Sequence, residues 1–163
     1  STRKESSAAS DVYKRQLRKK AIPWGRKELT APWTLPDAAE TAWEILLEIP
    51  AQQQTGGLLL QVGNCFALEL TLVSRTLHAY VKDTGEQTMQ DCGTLQLVPG
   101  VPVRLQVFLD RCSAEIFADG KCLSVNVFDT APLRPVSLIP QGGTLPLQLL
   151  QVWHLQHVME PQT

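Results

Sequence analysis

Long apolar runs are missing from this 163-residue chain, and with them the roughly 20 consecutive apolar residues that a bilayer-spanning helix needs. No secretory hydrophobic segment is visible, so the expectation is a soluble, cytoplasmic chain without a membrane partner. The four cysteines, Cys65, Cys92, Cys112 and Cys122, show no C-x-x-C spacing and are too sparse for a disulfide scaffold. They are expected to be thiols, with no structural zinc. Gly-rich phosphate loops are absent, and no cofactor is expected. Repeats of propeller-blade length are absent too. Apolar residues nowhere recur at helical spacing for three clean turns, which argues against a helical body.

What remains is ordinary for a folded protein: 44% hydrophobic and 19% charged residues, in a length that suits one domain and a tail. The net charge of −1 hides an asymmetry. Residues 1–28 hold nine Lys or Arg against three acids, and the rest holds six against thirteen. A basic segment on an acidic body can contact nucleic acid, but interleaved aromatics are lacking, and solvated disorder is the favoured reading. The opening STRKESSAASDVYKRQ has no hydrophobic periodicity and does not read as native sequence. Three segments result: a basic, disordered or non-native tail at 1–28, a proline-rich connector at 29–40 around Trp33, and a domain at 41–158.

Within 41–158, short alternating runs are punctuated by turn residues every 8 to 12 positions. Strands are expected at 42–49, 58–62, 65–73, 76–81, 94–98, 134–139 and 145–157, with Gly63-Asn64 as a hairpin turn. The stretch 103–128 is the most legible. Asp119-Gly120 tolerates the two positive φ angles of a tight mirror-image turn, which fixes the pairing. Ile116 then lies opposite Leu123 and Ala114 opposite Val125, on a dry face. Phe117 meets Cys122, Glu115 meets Ser124 and Ser113 meets Asn126 on a wet one. A second tight turn at Asp110-Arg111 would set Leu105 and Val107 beside Ile116 and Ala114, with Gln106 beside Glu115. Burying one face of each strand needs a second layer about 10 Å away. The fold class is therefore all-β: a two-sheet, antiparallel, jelly-roll-like (concanavalin-like) β-sandwich.

The run LQVFLDRCSAEIFADG resembles a motif in the C-terminal β-sandwich of glycoside hydrolase family 32, the invertases, levanases and sucrose-6-phosphate hydrolases. Asp110, Arg111, Ser113, Glu115, Phe117, Asp119 and Gly120 match it in order. Cys112 replaces the usual first serine, Ala118 stands where the family has Val-Asn, and Val127-Phe128-Asp129 departs from its Ile-Phe-Pro ending. The resemblance covers 41–158 and implies the same sandwich. It also implies that the catalytic carboxylates lie on a five-bladed propeller, whose Trp-Met-Asn-Asp-Pro-Asn-Gly, Arg-Asp-Pro and Glu-Cys motifs are missing here. A retaining glycosidase needs two flanking carboxyl groups, so no residue of this chain is expected to be catalytic.

The function implied is a non-catalytic support domain of a β-fructofuranosidase, whose partner is the missing catalytic propeller. The alternative is an autonomous module for fructan or sucrose, using Asp110, Arg111, Glu115, Ser124 and Asn126 on the wet face. Under the first reading Asp110 and Arg111 stabilise a turn, and Glu115 joins a polar network or an interdomain contact. An unrelated lectin-like sandwich is a third reading. His154 and His157, three apart on a strand, point to opposite faces and are not expected to ligate a metal together with His78. Trp43 and Trp153 read as core, and Trp24 and Trp33 as contacts to another domain. Cys92 in Asp91-Cys92-Gly93 reads as a loop thiol without a partner base.

Overall fold

In the computed structural model, residues 17–82, 87–127 and 131–156 are described. They contain strands and no helix: β1 (Arg18–Ile22), β2 (Glu28–Leu29), β3 (Trp33–Thr34), β4 (Trp43–Ile49), β5 (Gly57–Val62), β6 (Phe66–Thr71), β7 (Thr76–Val81), β8 (Gln90–Gln96), β9 (Val103–Leu109), β10 (Ser113–Ala118), β11 (Lys121–Asn126), β12 (Val136–Gln141), β13 (Leu145–Pro146) and β14 (Leu149–Leu155). One six-stranded sheet runs β1-β14-β4-β9-β10-β11 and the other β3-β12-β5-β6-β7-β8, with β13-β2 a small ladder of its own. Every pairing is antiparallel. The expected two-layer sandwich is the observed architecture.

Alternation explains the layers. Along β4, Trp43, Ile45, Leu47 and Ile49 are fully buried; opposite them across the interior lie Leu58, Leu60 and Val62 of β5, and Phe66, Leu68 and Leu70 of β6 in one apolar cluster. Leu105, Val107, Ala114 and Ile116 join it, so the dry face read from the sequence is the inner face. Asp119 and Gly120 take φ of 51° and 71°, and the β10–β11 register is the one that the Asp-Gly turn dictates, Ile116 against Leu123 and Glu115 against Ser124.

The β9–β10 turn differs. Its register sets Val107 against Ile116 and Leu109 against Ala114, two residues from the expected pairing. Asp110 N–H donates to the Ser113 carbonyl at 2.9 Å, so Arg111 and Cys112 form the tip. Neither Arg111 nor Cys112 takes a positive φ, so this turn is not of the mirror-image type that Asp119-Gly120 makes, and it falls one residue later than expected. Because the slip is two residues, each side chain keeps its face, but Gln106 now opposes Phe117 rather than Glu115. The Gly63-Asn64 turn is also longer than expected. Val62 pairs with Phe66, leaving Gly63, Asn64 and Cys65 as a three-residue loop.

Larger corrections concern the N-terminal side. The sandwich does not begin at Thr41: Arg18–Ile22 pairs with β14, Ile22 facing Val152, and Ile22 enters the core. The expected tail at 1–28 thus contains an edge strand, which the dense charge of that segment masks in the sequence. The connector is structured as well, since Trp33 pairs with Leu138 and Leu35 is buried. Residues 1–16 lie outside the described residues. Trp24 and Trp33 meet at 4.6 Å with their rings tilted by 54°, and both pack, partly buried, against this domain's own core. Trp153 is only half-buried and outward-facing, whereas Trp43 is core. β8 starts four residues before the expected 94, so Cys92 sits on a strand, at an irregularity in the β7–β8 pairing.

Candidate functional site

The sandwich has two outward faces, and the wet-face residues sort onto the first sheet. Glu115 lies directly across from Ser124, and Ser113 from Asn126. Ser124 and Asn126 are exposed and Glu115 half-buried. Asp110 and Arg111 sit at the end of the same ladder, but their contribution is mostly main-chain. The Asp110 carboxylate accepts the Arg111 N–H at 2.6 Å. The Arg134 guanidinium, only 2% exposed, donates to the carbonyls of Asp110 at 2.9 Å, Arg111 at 3.1 Å and Thr41 at 3.0 Å. One cation thus closes the turn against the start of β4. The geometry gathers Glu115, Ser124 and Asn126 on one face and puts Asp110 and Arg111 at its rim.

The same face holds a group that alternation alone did not expose. Glu44 is fully buried though it points away from the core. Arg18 grips its carboxylate through Nε at 2.7 Å and Nη2 at 2.6 Å, and Gln106 donates to it at 3.0 Å. Arg18 also lies 3.7 Å over the Trp153 ring. Beside it Ala42, Phe108 and Leu155 form a small second apolar cluster with Phe117 against it; Phe108 and Phe117 meet edge to face at 5.8 Å.

On the second sheet, two outward rows cross the strands. One reads Thr34, Ser137, Gln61, Ala67, Tyr80, Asp91. The next reads Ile139, Leu59, Glu69, His78, Thr94. His78 and Tyr80 stack at 6.1 Å with 25° between their planes. Thr94 Oγ1 is 2.9 Å from His78 Nδ1, and the Asp91 carboxylate is 3.4 Å from the same nitrogen. Partial burial, then the charges of Glu69 and Asp91, push the Tyr80 phenol above its ordinary value. At the other end of the face Gln61, Asn64, Leu133, Pro135 and Ser137 line a cavity of about 340 Å³.

His154 is buried and stacks 4.1 Å from Trp43, with the Glu40 carboxylate 3.5 Å from its Nδ1. His157 lies outside the described residues. Among the described residues, no group of three or more His, Cys, Asp or Glu is placed to hold a metal ion. All four cysteines are thiols.

The chain is thus an antiparallel β-sandwich with polar groups clustered on its two outward faces. The family model "Glycosyl hydrolases family 32 C terminal" matches residues 15–154, and the chain belongs to that family. Its fold is similar to that of an exo-inulinase from Aspergillus awamori (TM-score 0.63, 14% identity, 85% of this chain and 29% of that one). It is also similar to a sucrose-6-phosphate hydrolase from Lactobacillus gasseri (0.61, 13%, 90% and 30%) and to a β-fructofuranosidase from Bombyx mori (0.60, 17%, 88% and 28%). The chain therefore spans less than a third of each of these proteins. Comparison with curated proteins gives no match.

Proposed function

We propose that this chain is a non-catalytic C-terminal domain that supports the catalytic propeller of a β-fructofuranosidase. The observation that carries the reading is the match over residues 15–154 to the C-terminal family, in a chain that lacks the propeller motifs of the resemblance. Such a domain acts through buried area: by binding only the folded propeller, it stabilises it. The parent substrate is a fructoside, either sucrose, its 6-phosphate or a fructan. Four thiols fit a reducing, cytoplasmic compartment.

The test joins this chain to the propeller domain encoded upstream of it. With the sandwich present, the propeller melts at a higher temperature and turns over sucrose or levan; the purified chain alone hydrolyses neither. Turnover by the lone chain, or an upstream frame without propeller motifs, overturns the reading. A second reading, a fructan-binding module, is favoured by the exposure of Ser124 and Asn126 beside Glu115. It requires saturable fructan binding that Glu115→Ala abolishes.

A further inference from the structure

The outward face of the second sheet is used neither by the support reading nor by the Glu115 reading, and it lies on the opposite side of the sandwich from Glu115. Its two ends differ in chemistry. At one end the cavity of about 340 Å³ falls in the size range of small-ligand sites, about 300 Å³ upward. Gln61, Asn64 and Ser137 are polar residues of its lining, and Leu133 and Pro135 apolar ones; the Ser137 hydroxyl also bonds Thr34 at 2.8 Å, and the Gln61 amide reaches the Gly63 carbonyl at 3.5 Å. Leu133 is 61% exposed and stands at the cavity's outer edge.

At the other end the Tyr80 and His78 rings stack, with Glu69 opposite His78 and Asp91 opposite Tyr80. Gln61 and Tyr80 lie in one cross-strand row, separated only by the methyl of Ala67. Two inter-strand steps of about 4.8 Å put the two ends about 10 Å apart. A short oligosaccharide covers that length and a single sugar does not.

We propose that this face binds a neutral oligosaccharide, one sugar unit seated in the Gln61–Asn64–Ser137 cavity and the chain running over Ala67 onto the Tyr80–His78 rings. Amides and a hydroxyl donate to and accept from sugar hydroxyls without demanding a charge on the ligand. An aromatic face offers rigid apolar area to the C–H side of a pyranose or furanose ring. The carboxylates of Glu69 and Asp91 accept hydroxyl protons in charge-assisted bonds. Neither of these two rows carries Lys or Arg, and Glu69 and Asp91 present like charge to an anionic sugar; Lys82, two residues past Tyr80, lies beyond the rows.

Calorimetric titration of the full chain tests this with three tetrasaccharides: an inulin fragment, maltotetraose and tetragalacturonate. At least one neutral probe binds saturably and tetragalacturonate does not. Tyr80→Ala weakens that binding about tenfold, the loss of a stacking contact, and Gln61→Ala weakens it several-fold. Tyr80→Phe keeps the ring and the affinity, which separates lost stacking from lost folding. Binding that Glu115→Ala abolishes lies on the first sheet instead and overturns this proposal. The proposal is overturned if neither neutral probe saturates, if Tyr80→Ala leaves the affinity unchanged, or if the anionic probe binds as well. None of these outcomes bears on whether the chain supports a propeller.

Discussion

The guanidinium of Arg18 holds the carboxylate of Glu44 in a two-point grip, at 2.7 and 2.6 Å, on the outward face of the first sheet. Glu44 is fully buried and the Arg18 side chain is 27% exposed. The edge strand β1 is thus tied to β4 across β14 by one charged pair, with Trp153 stacked beneath the cation. A buried pair contributes little over an apolar substitute, but removing one partner strands the other.

Arg18→Ala is therefore expected to destabilise the domain by about 2–3 kcal/mol, the range for a lost hydrogen bond to a buried charge, with Gln106 retaining part of the carboxylate's solvation. Arg18→Met combined with Glu44→Leu should recover most of that loss. Urea unfolding of the two single variants and the double variant gives the coupling directly. An additive double variant would show that the pair does not act as a unit.

The Asp119-Gly120 turn gives a contrast between two glycines. Gly120 sits at φ 71° with open space where a Cβ would go, so Gly120→Ala is charged only for the left-handed backbone, about 1 kcal/mol. Gly57 has an ordinary φ, but a Cβ there would overlap the carbonyl oxygen of Leu70 on the neighbouring strand. Gly57→Ala should cost clearly more, because β5 and β6 must separate to admit it. Thermal melts of the two variants rank them, and equal losses would contradict the clash.

The same contrast shows what the sequence made legible. Asp119-Gly120 carries its geometry in its own residues, so the β10–β11 register could be read without coordinates. Arg111 carries no such preference, and the β9–β10 turn is instead set by Arg134, more than 20 positions away, whose fork gathers the Asp110 and Arg111 carbonyls. Likewise Glu44 read as one polar position in an alternating strand, since its burial depends on Arg18, a residue whose charged surroundings hid β1. Hairpins and inner faces are local or periodic properties; rims and outward clusters depend on partners distant in sequence. The Tyr80–His78–Asp91 group was missed for that reason, although alternation along 76–81 already placed His78 and Tyr80 on one face.

Arg134 yields a prediction about the turn itself. It is a buried cation that donates to the carbonyls of Asp110, Arg111 and Thr41. A lysine keeps the charge but cannot spread planar donors over three acceptors. Arg134→Lys is expected to cost about 1–3 kcal/mol, the penalty of leaving buried acceptors unmet. It should also raise amide exchange at Asp110 and Val127, whose N–H groups donate to the Ser113 and Cys112 carbonyls of the turn. Unchanged exchange with lowered stability would place the loss elsewhere.

Cys92 provides a test of electrostatics on the second sheet. Its thiol donates to the Ala79 carbonyl at 3.1 Å. Burial first, and the adjacent Asp91 carboxylate second, push its pKa above the ordinary thiol value, only partly offset by its own backbone N–H. The thiolate is the reactive species, so a raised pKa slows modification at neutral pH. In a Cys112→Ser/Cys122→Ser background, with Cys65 buried, the rate of Cys92 alkylation against pH should have its midpoint above that of a free cysteine. Asp91→Asn should move the midpoint down, because it removes a negative charge that opposes the thiolate, while the burial contribution stays. The sign for stability follows: the folded thiol holds its proton more tightly than the unfolded one. Its contribution is complete below the unfolded pKa and is lost as pH rises through the folded value. A midpoint at the free-cysteine value in the parent background would mean that neither burial nor Asp91 reaches the sulfur.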